Sequence, residues 1–125
     1  MSKPVNLSNE SKISNLKDKK ICETCLEQSP FAYTLKIING KYKMSILYCL
    51  SRFEVVRYNE MKRYLRGISF KTLTAALREL EDDKLLIRKE YTQIPPKVEY
   101  SLSNRGKSLI PVLNAMCEWG RENKS

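Results

Sequence analysis

The chain of 125 residues contains no histidine. That absence removes the commonest general base and metal ligand, and with them the ordinary serine or cysteine triad and the common zinc hydrolase. A glycine-rich phosphate loop and clustered carboxylates are missing too, so no constellation supports an enzyme, a cofactor or a metal centre. No run of about 18 apolar residues is present. The first residues also lack an apolar core followed by a small-residue cleavage site, which points to a cytoplasmic protein with no membrane partner. Cysteine is sparse, at Cys22, Cys25, Cys49 and Cys117. In a reducing compartment these stay mostly thiols, and the chain has enough apolar residues to fold without a disulfide scaffold. Its length suits one domain with a modest core, which makes a small binding module the default.

Charge of one sign dominates what is there. Lys and Arg number 23 against 14 acidic residues, a net charge of +9. In so short a chain that favours a polyanionic partner without saying which one. Residues 1–20 are rich in Ser, Asn and Lys, with Lys17, Lys19 and Lys20 clustered, and read as a flexible basic arm. Residues 21–125 form the domain.

From Phe31 the apolar residues fall at helical spacing through Leu35 and Ile38. Ser29 supplies the cap and Pro30 the first helical position, and Asn39-Gly40 ends the helix. A second helix over Lys41–Ser51 carries Tyr42, Met44, Ile46, Leu47, Cys49 and Leu50, too densely apolar for the surface, and is the central core helix. Arg57–Leu65 places Tyr58, Met61, Tyr64 and Leu65 at helical intervals and stops before Gly67. Ser69 then caps the next helix, in which Leu73, Ala76, Leu77 and Leu80 form one face and Lys71, Thr74, Ala75 and Arg78 the other. Helix, tight turn and helix make a motif whose free face fits a DNA major groove.

After Asp83 the period changes. Leu85, Ile87, Lys89 and Tyr91 alternate with their neighbours, as do Val98, Tyr100 and Leu102, so two strands pair as a hairpin. Its tip holds Pro95-Pro96, which withhold amide donors and suit a protruding loop, and then Lys97. A last helix over Asn104–Glu122 carries Leu109, Val112, Leu113, Met116 and Trp119 on one stripe, with Pro111 bending or offsetting it. The fold class is therefore mainly α with a small β-hairpin: a winged helix-turn-helix with additional terminal helices.

Four separated motifs sharpen this: Asn-Gly-Lys-Tyr-Lys at 39–43, Ile-Ser-Phe-Lys-Thr-Leu-Thr at 68–74, Pro-Pro-Lys-Val-Glu-Tyr at 95–100 and Cys-Glu-Trp-Gly at 117–120. In that order, over Ser29 to Gly120, the chain resembles the HxlR-type transcriptional regulators. The resemblance implies a bacterial homodimer that binds double-stranded DNA, pairs through its first and last helices, and reads a pseudo-palindromic operator, often as a repressor of adjacent genes. It places Ser69, Phe70, Lys71, Thr72, Thr74, Ala75 and Arg78 on the recognition helix and Pro95, Pro96 and Lys97 on the wing. Many members carry a reactive cysteine just before the proline of the first helix; here that position is Ser29.

Bland readings stand beside these. Winged helices also serve as protein-interaction modules. The spacing of Tyr42, Tyr58, Tyr64, Tyr91 and Tyr100 suits packing rather than an aromatic ligand pocket. Phe70 either contacts a thymine methyl or folds back on the preceding helix. Cys22 and Cys25 are incidental thiols, a redox or electrophile switch centred on Cys25, or half of a shared zinc site. Cys49 and Cys117 read as core. A small-molecule or redox effector stays open.

Overall fold

In the computed structural model, which describes residues 23–125, Ser29 opens the first helix through its hydroxyl. The Ala32 amide donates to Ser29 Oγ at 3.0 Å, while that hydroxyl donates back to the Leu26 carbonyl at 2.6 Å. Helix α1 runs Pro30–Ile38 and ends before Gly40, whose φ of 146° few other residues adopt. The chain divides into two compact units at Lys36 and Ile37, and the second carries the core. The basic arm at residues 1–20 lies outside the described residues, as does Cys22.

Helix α2 covers Lys43–Phe53, two residues later than the expected Lys41–Ser51, because Lys41 and Tyr42 are spent in the turn after Gly40. Its Ile46, Leu47, Cys49 and Leu50 are buried, as a central helix requires. Glu54, at φ 62°, turns the chain into a strand with no precursor in the sequence pattern. This strand, β1, is only Val56–Arg57, too short for alternation to reveal. Helix α3 is Tyr58–Tyr64, within the expected Arg57–Leu65, and the Arg57 amide donates to Glu60 Oε1 at 2.8 Å across its first turn. Gly67, at φ 84°, makes the tight turn that α4, Phe70–Asp82, follows.

Strands β2, Leu86–Tyr91, and β3, Lys97–Leu102, pair antiparallel from Leu86 opposite Leu102 to Tyr91 opposite Lys97. With Val56 opposite Tyr100, β1 completes a sheet of order β1-β3-β2. Leu85 and Ile87 do not share a face as the alternation suggested. Leu85 closes α4, its amide donating to the Leu80 carbonyl at 3.0 Å, so the ladder begins at Leu86 and Ile87 points outward, 50% exposed. The last expected helix, Asn104–Glu122, is two: α5, Asn104–Lys107, and α6, Ile110–Asn123. Pro111 falls in the first turn of α6, where its missing amide costs nothing; in the middle of one long helix it would have broken a hydrogen bond. Of the α6 stripe only Leu113 is buried, while Val112, Met116 and Trp119 remain exposed.

The core joins the buried face of α2 to Met61, Ile68, the inner face of α4, the sheet residues Val56, Leu86, Tyr100 and Leu102, and Leu113. One close approach locks the hairpin to α5. The Ser103 amide donates to the Leu85 carbonyl at 3.0 Å, and a Cβ on Gly106 would strike that same carbonyl. Gly106→Ala should therefore lower the free energy of unfolding by about 2–4 kcal/mol, measured as a reduced urea midpoint. A wild-type midpoint would show that α5 can shift freely.

Candidate nucleic-acid interface

The exposed side of α4 is built from both ends inward. At its start the Thr72 amide donates to Ser69 Oγ at 3.1 Å, and the Ser69 hydroxyl donates to Thr72 Oγ1 at 2.9 Å. Ser69 is thus engaged as the cap, and Thr72 keeps its own hydrogen for a partner in solvent. Leu73, Leu77 and Leu80 are buried, which by helical geometry turns Lys71, Ala75 and Arg78 outward, all three exposed. Thr74 is half-buried, its Oγ1 3.0 Å from the hydroxyl of Tyr58. Further along, the buried Lys43 reaches from the first turn of α2 to Glu79 at 2.8 Å, fixing α4 against the core helix.

Of the two settings expected for Phe70, the fold-back onto the preceding helix is the one observed. Its ring lies 5.5 Å from the Tyr58 ring, tilted by 55°, and is still 65% exposed. Tyr58 itself, which the sequence offered only as packing, also donates to the Phe70 carbonyl at 3.2 Å. Its partners are distant in the chain, so no local spacing signalled this.

Two grooves flank Tyr58. One, of about 470 Å³, runs between α4 and the sheet and is lined by Phe70, Thr74, Arg78, Arg88 and Tyr100 among others. The other, of about 510 Å³, lies between α3 and the hairpin tip and is lined by Arg57, Asn59, Arg63, Pro95, Pro96 and Lys97 among others. Arg57, Arg63, Arg66, Lys71 and Arg78 are exposed, and none forms an ion pair among the described residues. Arg88 instead bonds Glu90 at 2.7 Å, and its pKa rises above the usual guanidinium range through hydrogen bonds to Tyr100 and then Glu90.

The wing differs in detail from a simple basic tip. Ile94, Pro95 and Pro96 are exposed at the turn, whereas Lys97 is the first residue of β3 and half-buried. Its ammonium sits 4.2 Å above the Tyr91 ring and 3.6 Å from Glu99. Sequence reasoning missed Arg57 and Arg63 beside the tip, because β1 and the turn before α3 bring them there only after folding.

These features match known proteins closely. The family model described as HxlR-like helix-turn-helix matches residues 37–125. The chain belongs to this family. An HTH-type transcriptional regulator of Halalkalibacterium halodurans is 48% identical over 100 residues, covering 80% of this chain and 88% of that protein. YdzF of Bacillus subtilis, another HTH-type regulator, is 51% identical over 94 residues, 75% of this chain and 86% of its own. Among solved structures, the redox regulator HypR in its oxidized form is 41% identical with a TM-score of 0.72, covering 78% of this chain and 99% of that one. The HxlR-type chain is thus a DNA-binding transcriptional regulator on a winged helix-turn-helix. Among its described residues no helix is long and apolar enough to cross a membrane.

The described cysteines differ sharply in setting. Cys25 is exposed, Cys117 half-buried and Cys49 buried. Burial, with Glu60 adding to it, pushes the Cys49 thiol from 9.0 up to about 11. The folded protein disfavours the thiolate, so the contribution of Cys49 to stability is full below pH 9.0 and is lost as pH rises toward about 11. Denaturant titrations should show wild type losing stability relative to Cys49→Ala across that interval. Parallel pH profiles would mean the thiolate is accommodated.

Proposed function

We propose that this HxlR-type regulator acts in the cytoplasm as a homodimer, setting one α4 per subunit into successive major grooves about one helical turn apart on a pseudo-palindromic operator. It acts by binding alone and represses adjacent genes. The observation that carries this reading is the face of α4 formed by Lys71, Ala75 and Arg78, exposed and without an acidic partner among the described residues on a helix anchored by Leu73, Leu77 and Leu80. Lys71 and Arg78 donate to guanine edges or phosphates, and Ala75 and Phe70 suit a thymine methyl. Arg57, Arg63 and the Pro95–Lys97 wing lie along the adjacent backbone, where cation contacts give salt-dependent affinity.

Pairing through the terminal helices is supported by apolar side chains left in water. Helix α1 exposes Phe31, Tyr33 and Leu35, and α6 exposes Val112, Met116 and Trp119.

Anisotropy titrations against the protein's own upstream DNA and random duplex, over a range of salt, test the reading surface. Arg78→Ala should cost about 1–3 kcal/mol on the operator and less on random DNA. Lys97→Ala should weaken both alike, and modestly, since Tyr91 and Glu99 already hold its ammonium. An Arg78→Ala protein that keeps the wild-type preference for operator would reject the base-reading role.

A second reading adds redox control, favoured by the likeness to HypR and by the exposed Cys25 just ahead of α1. Oxidant should then change DNA affinity in wild type and leave Cys25→Ser unchanged; equal responses of the two would exclude Cys25.

A further inference from the structure

The hydroxyl of Tyr58 meets two groups of α4 at once, the Phe70 carbonyl at 3.2 Å and Thr74 Oγ1 at 3.0 Å. A carbonyl only accepts, and a tyrosine hydroxyl owns one hydrogen. Both contacts are satisfied together when Tyr58 donates to Phe70 and Thr74 donates its own hydrogen to Tyr58. Thr74 then has no hydrogen left to offer outward. What it presents along the groove between α4 and the sheet, one turn before Arg78, is oxygen lone pairs only.

Major-groove edges sort sharply against such a group. Adenine N6 and cytosine N4 carry amino hydrogens, whereas guanine N7 and O6 and thymine O4 are acceptors. A lone-pair-only Thr74 is matched by the first two bases and meets the others lone pair against lone pair. We propose that Tyr58 is a positioning residue for sequence discrimination: by taking up the Thr74 hydrogen it makes Thr74 an acceptor-only reader that selects adenine or cytosine at one base position. The proposal rests on α4 being the base-reading helix. The Phe70 ring, held against Tyr58 at 5.5 Å, keeps the same corner of the helix in register. The ring of Tyr58 therefore orients and its hydroxyl specifies, and Tyr58→Phe separates the two.

Selection from randomised duplexes, followed by competition titrations of the full chain, tests this without a known operator. Thr74→Val identifies the position by abolishing its preference. At that position Tyr58→Phe should reduce the preference for adenine or cytosine over guanine or thymine by roughly three- to tenfold, the worth of one hydrogen bond. Preferences elsewhere should stay near wild type, the urea midpoint should fall only modestly, and Tyr58→Phe combined with Thr74→Val should match Thr74→Val in base preference. Wild-type discrimination in Tyr58→Phe, or uniform weakening on every sequence, overturns the proposal. If Arg78→Ala relaxes a position while Tyr58→Phe and Thr74→Val relax none, the Tyr58 proposal fails alone. If all three leave every preference intact, α4 is not the reader, and the underlying reading fails with it.

Discussion

Burial of Leu73, Leu77 and Leu80 holds α4 in place, and every base contact proposed for DNA comes from that helix. A single helix here has to be core on one side and ligand surface on the other, which leaves only half its circumference for attachment. The remaining freedom is rotation and fraying, and each is opposed by a polar device. Ser69 satisfies an amide that would otherwise be orphaned at the start, Glu79 is clasped by the buried Lys43 in the middle, and the Leu85 amide continues the helix hydrogen bonding at the end. A buried lysine is costly without its partner, so loss of Glu79 would leave the Lys43 ammonium uncompensated. Tyr58 adds a fourth tie at the corner nearest the exposed face.

On the proposed reading, affinity and discrimination are drawn from different parts of this surface. Cations without an ion-pair partner among the described residues lie on α3, in the turn after it and on α4, where release of phosphate counterions strengthens binding to any sequence. The wing tip brings apolar Ile94, Pro95 and Pro96, while the charges of the hairpin are largely paired within it, Arg88 with Glu90 and Lys97 with Glu99. With its ammonium already held by Tyr91 and Glu99, Lys97 would on the proposed reading add a weaker phosphate contact than Arg57 and Arg63. On the same reading base discrimination falls to α4, where Thr74 is held by Tyr58.

How much of this was legible follows from the range of each interaction. The cap at Ser69, the turn at Gly67 and the amphipathic period of α4 are local, and sequence pattern located them within a residue or two. The two-residue strand β1 exists only because Tyr100 and Glu99 come alongside it, and nothing in Val56–Arg57 alone announces a strand. Leu85 and Ile87 look like one face until the Leu85 amide is seen bonded back to the end of α4. The α6 stripe was visible as a period, yet periodicity does not say what covers a face; among the described residues Leu113 is buried and Leu109 partly so, while Val112, Met116 and Trp119 stay exposed. Tyr58 was legible as a packing tyrosine and illegible as a hydrogen-bonding one, since both its partners are delivered by the fold.

Ser29 shows how one substitution can trade chemistry for structure. The resemblance puts a reactive thiol at this position in many relatives, and a thiol is a weak hydrogen-bond donor and acceptor. Here the hydroxyl accepts from the Ala32 amide and donates to the Leu26 carbonyl, so it both caps α1 and ties the preceding turn to it. A short, strong cap is what a nine-residue helix with no buried side chain needs, because too little packing is available to hold it otherwise. The same exchange removes the nucleophile from the helix start. On the second reading, a signal at the exposed Cys25 would reach α1 through the turn that Ser29 ties to the helix start.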